Sequence, residues 1–380
     1  MKAAVGRVEI TTQKIKVNDP LYAKILLLSN EKENIVFISM DYISLGGGIG
    51  TISDSFFPEL KKELLEHQIK YVLCGTTHTH TFEPMVLDEN LILKILSKKI
   101  VELLEELQEV QVEYTTAKED SFIINRNIPT KNGEDWTIRL AHALPPEDSY
   151  TKLAFADDSV KIFLFKRMDN TPLCVLFNFG CHPLLGKANN IATANFPGEA
   201  ERVIEEETGA IAMMFQSTGG DVCEIDYKDY FKPKDFKTHG LRLGLSVLSA
   251  LKLTQPLENQ LEAVSVEREF LLRTDYDSSI KKIEDEQRDI CNSMQNSPLN
   301  FKNFLPLYLK YLISPQYPLD HKYVYLKEES QGITQLKNQD DLNRKHIQKY
   351  LENIEKMERL TRLGAELETL KWHQDRKSVV

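Results

Sequence analysis

The feature that most constrains the fold is an alternation of short apolar runs with amphipathic stretches across the first 255 residues. Residues 23–28 and 35–40 are β-rich apolar runs separated by a polar turn, which predicts two neighbouring strands. Residues 54–67 and 89–109 instead have the pattern of helices. In the second of these helices, apolar residues recur at spacings of three and four and define one buried face: Ile92, Leu96, Ile100, Leu103 and Leu107.

Further apolar runs at 160–165 and 173–179 flank a turn-like segment and predict a hairpin, and another run covers 210–215. Helices are predicted to begin at Pro197 and near Thr238, the first because proline suits the first turn of a helix. This alternation predicts an α/β fold in which a mixed β-sheet core is flanked by helices.

After residue 255 the sequence becomes charged and helical in rhythm, which predicts a more helical C-terminal region. We therefore assign residues 1–255 to the domain that carries the functional site. Residues 256–380 are predicted to be a helix-rich continuation of the same domain.

Charge and cysteine usage narrow the function classes. The net charge of -10 and a pI near 5.5 argue against a nucleic-acid-binding protein, which would need a basic patch. The sequence has neither an apolar signal region at its N-terminus nor an uninterrupted apolar run of about 18 residues, so no transmembrane segment is expected. Five cysteines without a CxxC pair are typical of reduced thiols, which predicts a cytoplasmic protein.

Polar clusters follow three of the predicted strands, at residues 76–80, 181–183 and 217–221. Ligands of sheet enzymes collect beyond the carboxyl ends of strands, so these clusters are candidates for one site. The first contains His78 and His80, the second contains His182, and neutral imidazole is a common zinc ligand. The alternative interpretation is that the histidines only form hydrogen bonds within loops.

Two further residues are candidates for chemistry. Cys223 follows the glycine loop, residues 217–221, and is either a nucleophile with a lowered pKa or a small buried apolar side chain. Arg126 either stabilises an oxyanion or forms a surface ion pair. The remaining cysteines in apolar runs, Cys74, Cys174 and Cys181, are predicted in the core. The unclustered histidines are predicted on the surface: His67, His142, His239, His321, His346 and His373.

A series of segments resembles the N-terminal catalytic domain of the neutral/alkaline, non-lysosomal ceramidase family. The similar segments, in the order of that family, are Ala4-Val5-Gly6-Arg7-Val8-Glu9-Ile10-Thr11, Asn18-Asp19-Pro20-Leu21-Tyr22-Ala23-Lys24, Ser39-Met40-Asp41, Thr77-His78-Thr79-His80, Asn125-Arg126, Asn178-Phe179-Gly180-Cys181-His182-Pro183, Ala194-Asn195-Phe196-Pro197-Gly198 and Gly219-Gly220-Asp221-Val222. They cover roughly residues 1–255.

The resemblance implies a zinc-dependent amidase that cleaves the N-acyl bond of ceramide or of a related N-acyl substrate, either a lipid or a smaller molecule. It implies that His78 and His182 bind Zn²⁺, while His80 and Arg126 surround the scissile carbonyl. Asp41 and Asp221 are not ligands in that family, and we consider them as residues that support the ligands.

The sequence departs from the family pattern in three places. Thr81-Phe82-Glu83-Pro84 replaces the usual Ser-Gly-Pro, and Cys223 stands where the family has its nucleophilic serine. The downstream glutamate and tyrosine zinc ligands of the family have no counterpart before Val380, so we expect a truncated chain or one completed by a partner. The alternatives are a catalytically silent relative that acts as a binding module, and a cysteine hydrolase that uses Cys223.

Overall fold

A computed structural model describes residues 1–11, 17–30, 32–45, 52–80, 88–131, 133, 135–137, 150, 152–185, 191–228, 235–258, 260–266, 273–318 and 321–377. The chain divides into two compact units, Met1–Val266 and Glu267–Val380. The assignment of residues 256–380 to the same domain as residues 1–255 stays a prediction.

The first unit contains both strands and helices, and the second is helical. The strands are β1 (Lys2–Glu9), β2 (Tyr22–Ser29), β3 (Asn34–Met40), β4 (Ile69–Thr76), β5 (Gln108–Lys118), β6 (Ile123–Asn125), β7 (Asn127–Pro129), β8 (Asp135–Thr137), β9 (Ser159–Arg167), β10 (Pro172–Phe179), β11 (Ile211–Gln216), β12 (Val222–Glu224) and β13 (Gln255–Pro256). The helices are α1 (Phe56–Glu66), α2 (Glu89–Glu105), α3 (Asn195–Thr208), α4 (Ile225–Lys228), α5 (Phe236–Ala250), α6 (Tyr276–Ser293), α7 (Phe301–Ile313), α8 (Lys322–Ser330) and α9 (Gln335–Lys377).

Within the described residues, nine strands form one mixed sheet in the order β11-β10-β9-β5-β1-β2-β3-β4, with β13 beside β5. Strands β3 and β4 run parallel, as do β10 and β11, and the other pairs along this order are antiparallel. The two halves of the sheet meet at β1 and β5, where only Lys2 and Ala3 pair with Glu109 and Gln108. This mixed sheet flanked by helices, with a helical C-terminal region, confirms the predicted fold class.

Apolar side chains fill three layers of the first unit because successive residues of a strand point to opposite faces. Ile25 and Val36 belong to the core formed with α1 and α2. Their neighbours Leu26 and Ile35 face the other way and join a core with β5, β9, β10 and β11, which includes Phe165. The third core lies between the β9–β11 side of the sheet and helices α3 and α5. The unit therefore has four layers: helices α1 and α2, the β1–β4 half of the sheet, the half that contains β5 and β9–β11, and helices α3 and α5.

Side chains form hydrogen bonds with the backbone groups at the edge of β11, which no described neighbouring strand of the sheet pairs. The backbone N–H groups of Ala212 and Met214 donate to Glu205 at 3.2 Å and to Glu201 at 2.7 Å. The buried ammonium of Lys24 donates to the carbonyl of Ala212 and to Glu201, both at 2.8 Å. The strand that leads into the 217–221 loop is thereby held on both sides.

Two glycines bring α5 unusually close to α3. A Cβ atom at Gly240 would lie 2.8 Å from the carbonyl oxygen of Phe196, and one at Gly244 would lie 2.9 Å from Val203. Such distances leave no room for a larger residue. The close contact therefore fixes the position of α5 against α3.

The second unit packs α6, α7 and α8 against the long helix α9. Ile283 of α6 is buried with Leu363 and Leu370 of α9, and Phe304 of α7 stacks on Tyr350 at 4.3 Å between ring centroids. In the part of the chain that the structure describes, no helix combines the length and the apolar character needed to cross a bilayer.

The predicted helix 89–109 is too long by four residues at its C-terminal end. Helix α2 ends at Glu105, and β5 already begins at Gln108. The apolar spacing continues to Leu107 because this residue packs onto the α2 core from the connecting turn. Periodicity therefore extended the prediction beyond the last helical residue.

Candidate metal centre

Two segments bring three histidines together, and each follows a strand of a parallel pair. The β4 segment, residues 77–80, follows Thr76 at the end of β4, and the β10 segment, residues 180–185, follows Phe179 at the end of β10. The ring centroids of His78 and His182 lie 4.6 Å apart, those of His78 and His80 lie 4.9 Å apart, and those of His80 and His182 lie 5.5 Å apart. One nitrogen of each ring lies within 4.8 Å of those of the others, so the group could hold a metal ion.

Backbone carbonyls orient two of the three rings. Nδ1 of His78 lies 2.7 Å from the carbonyl oxygen of Ile43, and Nδ1 of His182 lies 2.6 Å from that of Gly219. A carbonyl only accepts, so Nδ1 carries the proton in both rings. In the neutral ring, Nε2 then has a free lone pair, which is the arrangement that metal-binding histidines typically have.

His80 connects the two segments. Its Nε2 lies 3.4 Å from Nε2 of His78, and its backbone N–H donates to the carbonyl of Pro183 at 3.2 Å. Thr79, between the two histidines, is fully buried, and its hydroxyl donates to the carbonyl of Thr193 at 2.9 Å. The buried threonine anchors the segment while its two neighbours direct their rings toward His182.

His78 has a left-handed backbone conformation, with a φ of 61°. This conformation costs a residue with a Cβ atom about 1–2 kcal/mol. Asp41 supports the end of β4 beside it: its carboxylate accepts the backbone N–H of Tyr22 at 2.9 Å and the hydroxyl of Thr77 at 3.4 Å. The surrounding structure therefore holds a strained conformation, a feature that is concentrated at functional sites.

The environment of His182 favours its neutral form. Burial lowers the pKa of this imidazole below its ordinary value, and the nearby His78 and the guanidinium of Arg126 lower it further. The side chain is only 8% exposed. Because a metal binds the neutral ring, the lowered pKa suits a ligand role.

Arg126 lies beside the histidines and is positioned by the glycine loop. Its backbone N–H donates to the carbonyl of Asp221 at 2.7 Å. The side-chain amide of Asn125 donates to the carboxylate of Asp221 at 2.8 Å and to the carbonyl of Phe155 at 2.6 Å. Asp221 thus ties the Asn-Arg pair to the loop whose Gly219 orients His182.

Cys223 is fully buried in β12. It lies opposite Ile124 of β6 and forms an isolated parallel bridge with His182. The position is adjacent to the histidine group, and the nucleophilic role of this thiol stays a prediction. Of the cysteines predicted in the core, Cys174 and Cys181 are buried, whereas Cys74 is only partly buried.

The prediction that His239 lies on the surface is wrong. The ring is 3% exposed, and its Nδ1 and Nε2 each lie 3.1 Å from a carboxylate oxygen, of Glu224 and of Asp226 respectively. It lies four residues before Leu243 on the buried face of α5, so helical spacing could have identified it.

The other histidines that do not cluster in the sequence have varied positions. His67, His321 and His373 are exposed, and His346 is partly buried. His142 and the segment Thr81-Phe82-Glu83-Pro84 lie outside the described residues.

Comparison with known proteins identifies the fold. No protein-family model and no curated protein matches the sequence. Among solved structures, the neutral ceramidase from Pseudomonas aeruginosa is similar with a TM-score of 0.51 and 14% identity, over 66% of this chain and 44% of that chain. A ceramidase complexed with C2 is similar with a TM-score of 0.52 and 13% identity, again over 66% of this chain and 44% of that chain. The chain therefore spans less than half the length of these enzymes, and it has a ceramidase-like fold.

Proposed function

We propose that this protein is a zinc-dependent amide hydrolase that cleaves an N-acyl bond. The observation that carries the proposal is the convergence of His78, His80 and His182 at the ends of β4 and β10, with two of the rings oriented by backbone carbonyls. The ceramidase-like fold supports the reaction class, because ceramidases hydrolyse such a bond.

The donor set fits zinc. One ring nitrogen of each of His78, His80 and His182 lies within 4.8 Å of those of the other two, so the rings of His78 and His182 can reach one ion. With Nδ1 of His78 and of His182 donating to carbonyls, their Nε2 atoms carry the lone pairs that can bind a metal, and imidazole nitrogen is a preferred zinc ligand. When bound, zinc would supply Lewis acidity at this point.

In this proposal, His78 and His182 hold the metal and His80 handles the proton. Carbonyls orient the rings of His78 and His182 through Nδ1, and Nε2 of His80 lies 3.4 Å from Nε2 of His78. That atom of His80 can take a proton from the water that attacks the amide carbon and return it to the amine nitrogen as the C–N bond breaks. It also lies within reach of the same ion, so zinc affinity and turnover must be measured separately.

Arg126 supplies positive charge where negative charge develops on the amide oxygen. Its guanidinium is close enough to His182 to lower the pKa of that ring. The hydrogen bond from its backbone to Asp221 fixes the residue that bears this charge. A preorganised cation of this kind stabilises an oxyanion without reorganisation.

Cys223 is not required in this scheme because its side chain is fully buried. Replacing Cys223 by alanine is expected to leave zinc-dependent hydrolysis within about threefold of wild type, and Cys181→Ala is the matched control for losing a buried thiol next to His182. If only Cys223→Ala abolished turnover, the cysteine-hydrolase alternative would be correct.

The proposal is tested by assaying the full chain, stripped of metal and reloaded with zinc, on two N-acyl substrates. One is N-acylsphingosine in detergent micelles, and the other is a short water-soluble N-acyl amide. We expect zinc-dependent release of the free amine by the wild type and none by His182→Ala. The substrate that is hydrolysed faster shows whether the enzyme acts on a lipid or on a smaller molecule. Zinc binding without hydrolysis of either would reject the enzyme and favour a metal-binding module.

A further inference from the structure

A buried carboxylate lies directly behind the β10 segment. Glu224, at the end of β12, is completely buried. One of its oxygens, Oε2, accepts the backbone N–H of Leu184 at 2.7 Å and that of Leu185 at 2.9 Å. Both leucines belong to the same short segment as His182. A fully buried carboxylate is costly unless hydrogen bonds satisfy it, so these contacts are integral to the fold around the site.

The same strand holds His182 itself. The backbone N–H of His182 donates to the carbonyl of Val222 at 2.9 Å, and the ring Nδ1 lies 3.2 Å from the same oxygen. Beyond His182, the carboxylate of Glu224 replaces the backbone carbonyl as the acceptor, because it accepts the N–H groups of Leu184 and Leu185. Strand β12 thus holds the segment in two ways: through the parallel bridge of Cys223 with His182, which includes the bond to Val222, and through the carboxylate of Glu224.

His239 fixes the other oxygen of Glu224. Its Nδ1 lies 3.1 Å from Oε1 of Glu224, and its Nε2 lies 3.1 Å from Asp226. Its ring stacks on Phe122, with 4.6 Å between centroids and an angle of 10° between planes. Held by a helix, a carboxylate and an aromatic ring, His239 leaves the Glu224 side chain little freedom to rotate.

We propose that Glu224, held by His239, is a positioning residue that fixes residues 184–185 and thereby sets the orientation of the His182 ring. The effect on metal affinity rests on the proposed function, but the effect on the ring and its segment does not. No other described side chain accepts both Leu184 and Leu185 N–H groups, so removing the carboxylate frees the backbone two residues from the ring.

The test compares Glu224→Ala and Glu224→Gln with Glu119→Ala in the full chain. Glu119 is a matched control because it is 6% exposed and also accepts a backbone N–H, from Ser121 at 3.0 Å, and a hydroxyl, from Ser246 at 2.9 Å. Glu224→Gln keeps an acceptor oxygen of similar size and is expected to rescue part of the effect. It also serves if Glu224→Ala does not fold.

Two measurements need no metal. Hydrogen exchange at the amides of 184–185 is expected to accelerate by about tenfold or more in Glu224→Ala, and less in Glu224→Gln. In protein labelled with ¹⁵N-histidine, His182 is expected to lose its pure Nδ1–H tautomer in Glu224→Ala and to keep it in Glu119→Ala. Unchanged exchange and an unchanged tautomer in both Glu224 variants would overturn the inference.

Zinc affinity is the third measurement, obtained by competition with a chelator. Supporting groups behind metal ligands typically change affinity by about 10–100-fold, and we expect a loss of about tenfold for Glu224→Ala and none for Glu119→Ala. An equal loss in both variants would make Glu224 a merely structural residue. If wild type bound no zinc while the tautomer still shifted, the positioning role would stand and the proposed function would fail.

Discussion

The β10 segment and the β4 segment bring histidine rings to the same point by different means. In the β10 segment, hydrogen bonds hold His182. Two carbonyl oxygens lie 2.6 and 3.2 Å from its Nδ1, and its backbone N–H donates to Val222 of β12. In the β4 segment, the backbone conformation directs His78: its φ is 61°, and one carbonyl, of Ile43, orients its ring.

This difference separates two sources of geometric precision. Hydrogen bonds to buried carbonyls orient a ring and also stabilise the fold, so in the proposed zinc site the contacts of the β10 segment would contribute to both zinc affinity and stability. A left-handed histidine, by contrast, costs stability in exchange for its direction. We therefore expect mutations in the β10 segment to damage both properties, and mutations at His78 to separate them.

The largest effect is expected from His182→Ala. Loss of this ligand should weaken zinc binding by more than about 100-fold, because even supporting groups behind a ligand change affinity by about 10–100-fold. It also removes the ring donor to the carbonyl of Gly219, which should lower the free energy of unfolding of the metal-free protein by about 1–3 kcal/mol. Chelator competition and urea denaturation measure the two effects.

The matched comparison is His80→Ala, which should weaken zinc binding by about tenfold or less while lowering kcat by about 10²–10⁴-fold, the usual contribution of a general acid or base. A loss of zinc affinity in His80→Ala as large as that in His182→Ala would instead make His80 a full ligand.

A smaller effect is expected from Gly219→Ala, which moves the carbonyl that orients His182. The added Cβ atom would lie 2.4 Å from Nε2 of Gln216 and 2.9 Å from the backbone nitrogen of Cys181, so the loop must shift. We expect a loss of about 1–3 kcal/mol in stability and a weaker zinc site. Gly180→Ala is the control, since its Cβ atom would approach Ser217 only to 3.4 Å. Equal losses in the two variants would contradict the role of this loop.

The smallest effect concerns the strain at His78. Because glycine adopts a left-handed conformation without penalty, His78→Gly should be more stable than His78→Ala by about 1 kcal/mol, although both lose the zinc ligand. Gln68, whose φ is also 61° and which lies outside the site, should show the same difference between glycine and alanine. Thermal unfolding measures both pairs. A His78→Gly protein no more stable than His78→Ala would show that the segment relaxes and is not strained.

The sequence reveals the parts of this architecture that depend on patterns among neighbouring residues. The strands and the polar clusters at their ends could be predicted because alternation and helical spacing are properties of neighbouring residues. The meeting of His78 with His182 can be inferred from the rule that ligands collect beyond strand ends and from the order of the motifs.

What the sequence did not reveal depends on contacts between distant residues. The burial of His239 depends on Glu224, fifteen positions earlier in the chain, and on Phe122. The support that Glu224 gives to Leu184 and Leu185 joins residues about 40 positions apart, and neither partner has a distinctive motif. Such pairings arise only when strands from separate parts of the chain pack together.

We propose that His78 and His182 hold one zinc ion. Metal analysis of the full chain after removal of bound metal, reloading with zinc and exhaustive dialysis tests this assignment. We expect about one zinc per chain in wild type and almost none in a His78→Ala, His182→Ala double variant that still unfolds cooperatively. Wild-type protein without zinc, or a folded double variant that retains as much zinc as wild type, would contradict it.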